Sequence, residues 1–136
     1  MKKQFSVLIH KLDLEKNNIF CTNLMLTADN LDELKHYCNG IIDSADIHNI
    51  TKALCEQLDN KVRVIVNESR STKIQGGLLH IDYCVRLNLA SWGVARKSHE
   101  NLVNKYHFAS HYLRYGVDEI IVYQLNVTEV GYEAQV

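Results

Sequence analysis

The sequence predicts an α+β fold: a mostly antiparallel five-stranded sheet, with elements in the order β-β-α-α-β-β-α-β and the helices packed on one face. Three observations support this prediction. Apolar and polar residues alternate in several segments, as they do in half-buried strands. Other segments repeat their apolar residues at helical spacing. Short polar turns separate successive strand segments, which favours hairpins and therefore antiparallel pairing.

Length and composition point to one domain covering residues 1–136. Dividing 136 residues between two cores would leave each too small to bury much surface, and 46% hydrophobic with 23% charged residues is ordinary for a globular domain. No apolar stretch approaches the roughly 20 residues that span a bilayer, and the first residues lack the apolar core of a signal peptide. We therefore expect a cytoplasmic protein without membrane contact. Its four cysteines form no CxxC pair, which excludes a zinc-ribbon or thioredoxin-like motif. A chain of this length and apolar content does not need disulfides, so we expect reduced thiols.

The first half of the chain predicts a hairpin followed by two helices. Alternating apolar residues indicate strands over 4–13 and 19–27, joined by a polar turn of four or five residues. An Asn-x-x-Glu pattern that begins at residue 30 resembles a capping box, so we expect a helix over 30–39 that stops at Gly40. A second apolar stripe predicts a helix over 45–59.

The second half predicts three more strands and one long helix. A short strand over 62–66 leads into a polar loop over 67–77, and the regular alternation over 78–89 predicts a half-buried strand. Helical spacing of apolar residues predicts a helix over 98–115. The segment 119–128 is apolar on both faces, so we place it centrally in the sheet.

Charge is unevenly distributed along the chain. Residues 1–60 hold 6 basic and 9 acidic side chains, residues 61–114 hold 9 and 3, and residues 115–136 hold none and 4. A basic middle between acidic ends predicts either cancellation on folding or a positive surface for a protein partner with an acidic surface. Aromatic and arginine anchors are typical of interfaces, and the candidate partner-binding residues are Arg70, Lys73, Trp92, Arg96 and Lys97.

These features lead to a first functional hypothesis. The chain would be a small non-enzymatic interaction protein that binds a macromolecular partner, with inhibition of that partner as one version of the hypothesis. A bacterial or phage accessory or immunity-type factor is the context that we expect. No motif requires a cofactor, and we expect none.

A competing hypothesis is a small hydrolase or transferase that uses cysteine and histidine. His80, Asp82, Cys84 and Arg86 alternate with apolar residues and so share one face of the predicted strand. Cys84 would be the nucleophile, His80 its base, and Asp82 the residue that orients the base. Arg86 would hold an anionic group of the substrate.

Two weaker alternatives concern metal and phosphate. His107 and His111 stand four residues apart on a predicted helix, which brings two imidazoles to one face, but the glutamate of the metalloprotease motif is replaced by Phe108. Gly76 and Gly77 follow a basic polar segment and would let backbone amides approach a phosphate, although they precede a strand rather than a helix. The basic middle of the chain could also bind phosphate or RNA. Nucleic-acid binding is the less favoured of the binding hypotheses, because the isoelectric point is about 6.6.

Overall fold

The structure is a computed structural model that describes residues 2–57, 63–90 and 119–132. These residues form five strands and two helices. In chain order they are β1 (Lys3–Asp13), β2 (Asn18–Ala28), α1 (Leu31–Ser44), α2 (Ile47–Gln57), β3 (Arg63–Gln75), β4 (Leu78–Ala90) and β5 (Glu119–Tyr132).

The five strands form one antiparallel sheet in the order β2-β1-β5-β4-β3. The prediction of a mostly antiparallel five-stranded sheet is confirmed, and so is the central position of the last strand. That strand also continues to Tyr132, beyond the predicted end at residue 128. The predicted helix over 98–115 lies outside the described residues, so the complete order of elements stays a prediction.

The cap of α1 has the predicted chemistry. Asn30 Oδ1 accepts the backbone N–H of Glu33 at 2.9 Å, and Glu33 Oε2 accepts the backbone N–H of Asp29 at 3.0 Å. Asn30 and Glu33 thus each accept a hydrogen bond from a backbone N–H near the start of the helix, as in a capping box. The difference is that Glu33 bonds the N–H of Asp29, one residue before the cap residue Asn30. The hydrogen bonds that the Glu33 carboxylate accepts from the Asp29 N–H and the Tyr37 hydroxyl lower the pKa of Glu33.

The predicted stop at Gly40 is wrong, because α1 continues through it to Ser44. Ile41 and Ile42 follow the glycine and pack against the core, so burial maintains the helix past a residue of low helix propensity. The break comes at Asp46, whose φ is 54°, and α2 starts directly after it. The helices α1 and α2 are therefore one bent helix.

The predicted polar loop over 67–77 is also wrong. β3 runs from Arg63 to Gln75 and pairs with β4 without interruption, and only Gly76 and Gly77 lie between the two strands. Both glycines have positive φ, 60° and 77°, as a tight two-residue hairpin turn requires. Arg70 and Lys73 consequently lie in an edge strand, not in a loop.

The core lies between the bent helix and one side of the sheet. Leu34, Cys38 and Leu54 of the helices are buried in the same cluster as strand residues such as Val7 and Leu125. Among the described residues, neither helix is long and apolar enough to cross a bilayer.

A bulge in β5 adds to this core. Val85 pairs with Tyr123, but the next residue of β4, Arg86, pairs with Ile121, so β5 holds one extra residue, Val122. Val122 and Tyr123 are both buried, which is how two consecutive residues of one strand face the same core.

Candidate functional site

The side of the sheet opposite the core carries polar side chains from all five strands. The strand register sets His10 opposite Gln124, Gln124 opposite Cys84, and Cys84 opposite Ser69. Residues paired across antiparallel strands project from the same side of a sheet. We call this surface the polar face and define it by Ser6, Leu8, His10, Cys21, Asn23, Met25, Ser69, Ser71, Lys73, His80, Asp82, Cys84, Arg86, Gln124, Asn126 and Thr128.

Side chains of β4 and β5 contact each other across the middle of this face. Asn126 Nδ2 donates a hydrogen bond to Asp82 Oδ1, and Thr128 Oγ1 lies 3.4 Å from His80 Nδ1. Asp82 and His80 are thus each held by a side chain from the neighbouring strand. Their positions are set by the pairing of two central strands.

The outer part of the face, on β1 and β2, has similar cross-strand contacts. Ser6 Oγ donates to Asn23 Oδ1 at 3.2 Å, and Cys21 Sγ lies 4.0 Å from His10 Nδ1. Asn23 and Cys21 are exposed. Hydroxyl, amide, thiol and imidazole groups thus follow one another across the sheet.

Arg86 links the polar face to the start of β5. Its Nη2 donates to Cys84 Sγ at 3.5 Å, and its Nη1 lies 3.8 Å from Glu119 Oε1. The contact with Cys84 and the charge of Glu119 raise the pKa of Arg86. An acidic residue from the last described segment therefore balances a cation of the basic middle segment.

The four residues of the enzyme hypothesis all lie on the polar face, but in different contacts. Asp82 bonds Asn126, and His80 lies beside Thr128, whereas the described hydrogen bond of Cys84 is to Arg86. His80 and Cys84 are four positions apart along one strand, which corresponds to about 13 Å at roughly 3.3 Å per residue. A base must lie within hydrogen-bonding distance of its nucleophile. The arrangement gives little support to a His80–Cys84 pair, and that assignment stays a prediction.

The structure places Arg70 and Lys73 on opposite sides of β3. Arg70 lies on the core side, where its guanidinium is 4.8 Å from the ring centre of Tyr83 and its Nε donates to Glu68 Oε1 at 2.8 Å. Lys73 pairs with His80 on the polar face. Arg70 and Lys73 thus do not form one positive surface.

The remaining predicted site residues cannot be placed. Trp92, Arg96 and Lys97 of the partner-binding set lie outside the described residues, as do His107 and His111 of the metal alternative. Within 2–57, 63–90 and 119–132, no three His, Cys, Asp or Glu side chains converge as a metal site would require.

Sequence analysis missed the contribution of β5 to the polar face. Gln124, Asn126 and Thr128 alternate with Leu125 and Val127, the same period-two pattern that identified the residues of β4. The two apolar residues beside the bulge made the whole segment look apolar on both faces, and this concealed the alternation.

Comparison with known proteins gave no match: no protein-family model, no curated protein and no solved structure is significantly similar to this chain.

Proposed function

We propose that this chain is a small interaction protein that binds a protein partner through the polar face. The observation that carries the proposal is the composition of that face. Asparagine and aspartate are depleted in strands, yet Asn23, Asp82 and Asn126 stand inside three different strands and project from one side of the sheet. Residues that weaken strands are expected where they serve recognition rather than stability.

The charge of the polar face fits a protein interface. Most of its side chains are uncharged amides, hydroxyls and thiols, which can both donate and accept hydrogen bonds, although the Cys84 thiol is itself buried. Charged residues are depleted at the centre of interfaces, and methionine is enriched there. A solvated surface without a partner is instead typically rich in lysine and glutamate. Lys73 stands at the margin of the face, in an edge strand.

Two exposed apolar side chains strengthen the proposal. Leu8 is 48% exposed and Met25 is 53% exposed, and they stand in the neighbouring strands β1 and β2 on the polar face. Burying such side chains in a partner gives affinity, while the polar groups around them give orientation. An acidic partner is no longer required, since Arg70 and Arg86 are each paired with a glutamate of this chain.

The test uses two matched substitutions in β2. Met25→Arg places a charge on the polar face. Phe20→Arg places one on the core side of the same strand, and Phe20 has the same exposed fraction, 53%. Tagged wild type and both variants are produced in the cells that make the chain, and the captured proteins are quantified by mass spectrometry. We expect Met25→Arg to lose a partner that wild type and Phe20→Arg retain. Equal capture by both variants, or loss only with Phe20→Arg, would contradict the proposal.

A further inference from the structure

The outer edge of β3 is long, regular and exposed. β3 is the last strand of the sheet, and its thirteen residues pair with β4 without a bulge. Every residue from Ile65 to Leu78 is exposed. Natural edge strands are usually short, bulged, interrupted by proline or protected by charged side chains, because a free edge pairs with other strands. β3 is long, unbulged and without proline. It does carry charged side chains, but Glu68 and Arg70 are of opposite sign, so they permit pairing in a register that sets one against the other.

The hairpin turn determines which backbone groups of β3 face outward. In a two-residue hairpin the residues that flank the turn, here Gln75 and Leu78, exchange hydrogen bonds. Antiparallel strands alternate bonded and non-bonded pairs. The odd-numbered residues of β3 therefore direct their N–H and C=O groups to β4. The even-numbered ones direct them to the free edge: Val64, Val66, Glu68, Arg70, Thr72 and Ile74.

We propose that the edge of β3 pairs with the β3 of a second copy of this chain, antiparallel and about a twofold axis at Ser69. Ser69 is the midpoint of Arg63–Gln75, so this register pairs every residue of the strand. It also sets outward-facing residues against outward-facing residues, with about twelve backbone hydrogen bonds between the copies. A twofold axis between two residues would instead set outward-facing groups against inward-facing ones.

The charges of β3 select the same register. About Ser69, Glu68 of each copy stands directly opposite Arg70 of the other, and opposite charges at such positions stabilise a pair of strands. An axis at Arg70 would set arginine against arginine, and one at Glu68 would set glutamate against glutamate. Both residues are exposed, with side chains 49% and 62% accessible, and they form an ion pair within one chain. In the dimer the ion pairs of the two copies would meet as one cluster of four charges.

The apolar residues of the edge are also self-complementary. In this register Ile74, which is 75% exposed, stands opposite Val64 of the second copy, and Val66 stands opposite Thr72. These are β-branched pairs, which pack well across strands. A cleft of about 320 Å³, lined by Lys35, Arg70 and Tyr83 among others, separates α1 from β3 and β4, so α1 does not fill the space above the edge.

The dimer would extend both the sheet and the polar face across two chains. Antiparallel neighbours related by a twofold axis keep equivalent faces on the same side, so two sheets would become one of ten strands with a continuous polar face. Ser69, Ser71 and Lys73 belong to both β3 and the polar face. Dimerisation nevertheless does not depend on the partner proposed above, because the contacts between the copies come from backbone groups at the edge and from even-numbered side chains such as Arg70, which lie on the core side.

Charge reversal and its rescue test the inference on the full chain. Sedimentation velocity is measured over a range of concentrations for wild type, Glu68→Arg, Arg70→Glu and the double variant. Lys52→Glu in α2 is a control that changes the net charge by the same amount as Arg70→Glu. We expect wild type, the double variant and the control to shift from 15.6 kDa to twice that mass. Each β3 single variant should stay monomeric, since it sets like charges opposite each other.

Far-UV circular dichroism checks that all variants are folded. A wild type that remains at 15.6 kDa at the highest soluble concentration overturns the inference. So does a dimer that forms equally well with either single β3 variant. Neither result would affect the proposed role of the polar face, which Met25→Arg and Phe20→Arg test separately.

Discussion

Replacing Tyr123 with phenylalanine should stabilise the protein. Tyr123 is 1% exposed, and within the part of the chain that the structure describes its hydroxyl is the one buried side-chain oxygen or nitrogen without a hydrogen-bond partner. Burying a hydroxyl without a partner costs about 1–3 kcal/mol in proteins. Removing only that oxygen keeps the ring and its packing, so we expect the free energy of unfolding to rise by about 1 kcal/mol.

Tyr83 provides a matched control for this substitution. The two rings meet edge to face, with centroids 6.1 Å apart, so they share one environment. The Tyr83 hydroxyl, however, interacts with the Glu68–Arg70 ion pair at the sheet edge. Tyr83→Phe removes an oxygen that has partners, and we expect it to lower the free energy of unfolding by about 1 kcal/mol.

Urea denaturation followed by circular dichroism measures both effects. The midpoint should rise for Tyr123→Phe and fall for Tyr83→Phe at an unchanged m value, because neither change alters the surface exposed on unfolding much. A Tyr123→Phe protein that is less stable than wild type would refute the reasoning, since it would mean that the hydroxyl contributes a favourable interaction.

The same residue gives a prediction at alkaline pH. Burial raises the pKa of Tyr123 to about 12, above the ordinary value of 10. The folded state therefore holds this proton more tightly than the unfolded state does. The stability that this difference in pKa contributes is fully present below pH 10 and is lost as the pH rises toward 12. Tyr123→Phe should lose less stability than wild type over that interval.

Two further predictions concern acid stability and thiol reactivity. Glu129 accepts the Leu79 N–H at 3.1 Å and lies 3.2 Å from Lys3 Nζ, and these contacts lower its pKa. The stability that these contacts contribute is present above the ordinary pKa of glutamate and is lost as the pH falls through the lowered value. The free energy of unfolding of Glu129→Gln, measured with urea, should therefore fall less in acid than that of wild type. Iodoacetamide, with mass spectrometry as the readout, should label exposed Cys21 first, half-buried Cys55 more slowly, and buried Cys38 and Cys84 last. Burial also raises the pKa of Cys38 and Cys55. Labelling of Cys84 ahead of Cys21 would instead support its role as a nucleophile.

The strands that bury apolar residues on one side were predictable from sequence, and most of the edge strand β3 was not. Alternation of apolar and polar residues identified β1 and β4, because each of these strands has one side that faces the core and one side that is polar. From Asn67 to Lys73 every residue of β3 is polar, so the segment resembles a loop. Its strand structure depends on the β4 partner and on the turn at Gly76-Gly77. A glycine pair between two segments is a recognised hairpin signal, and it was the available clue to β3.

The polar face shows why the candidate site was only partly predictable. Sequence alone grouped His80 with Arg86 because both belong to one strand, where period two fixes the side. It could not show that β5 lies between β1 and β4, which brings His10 into the same row as Cys84. Which strands are neighbours is decided by the packing of the whole sheet. A surface assembled from five strands is therefore a tertiary property, and its recognition groups became apparent only once the strand order was known.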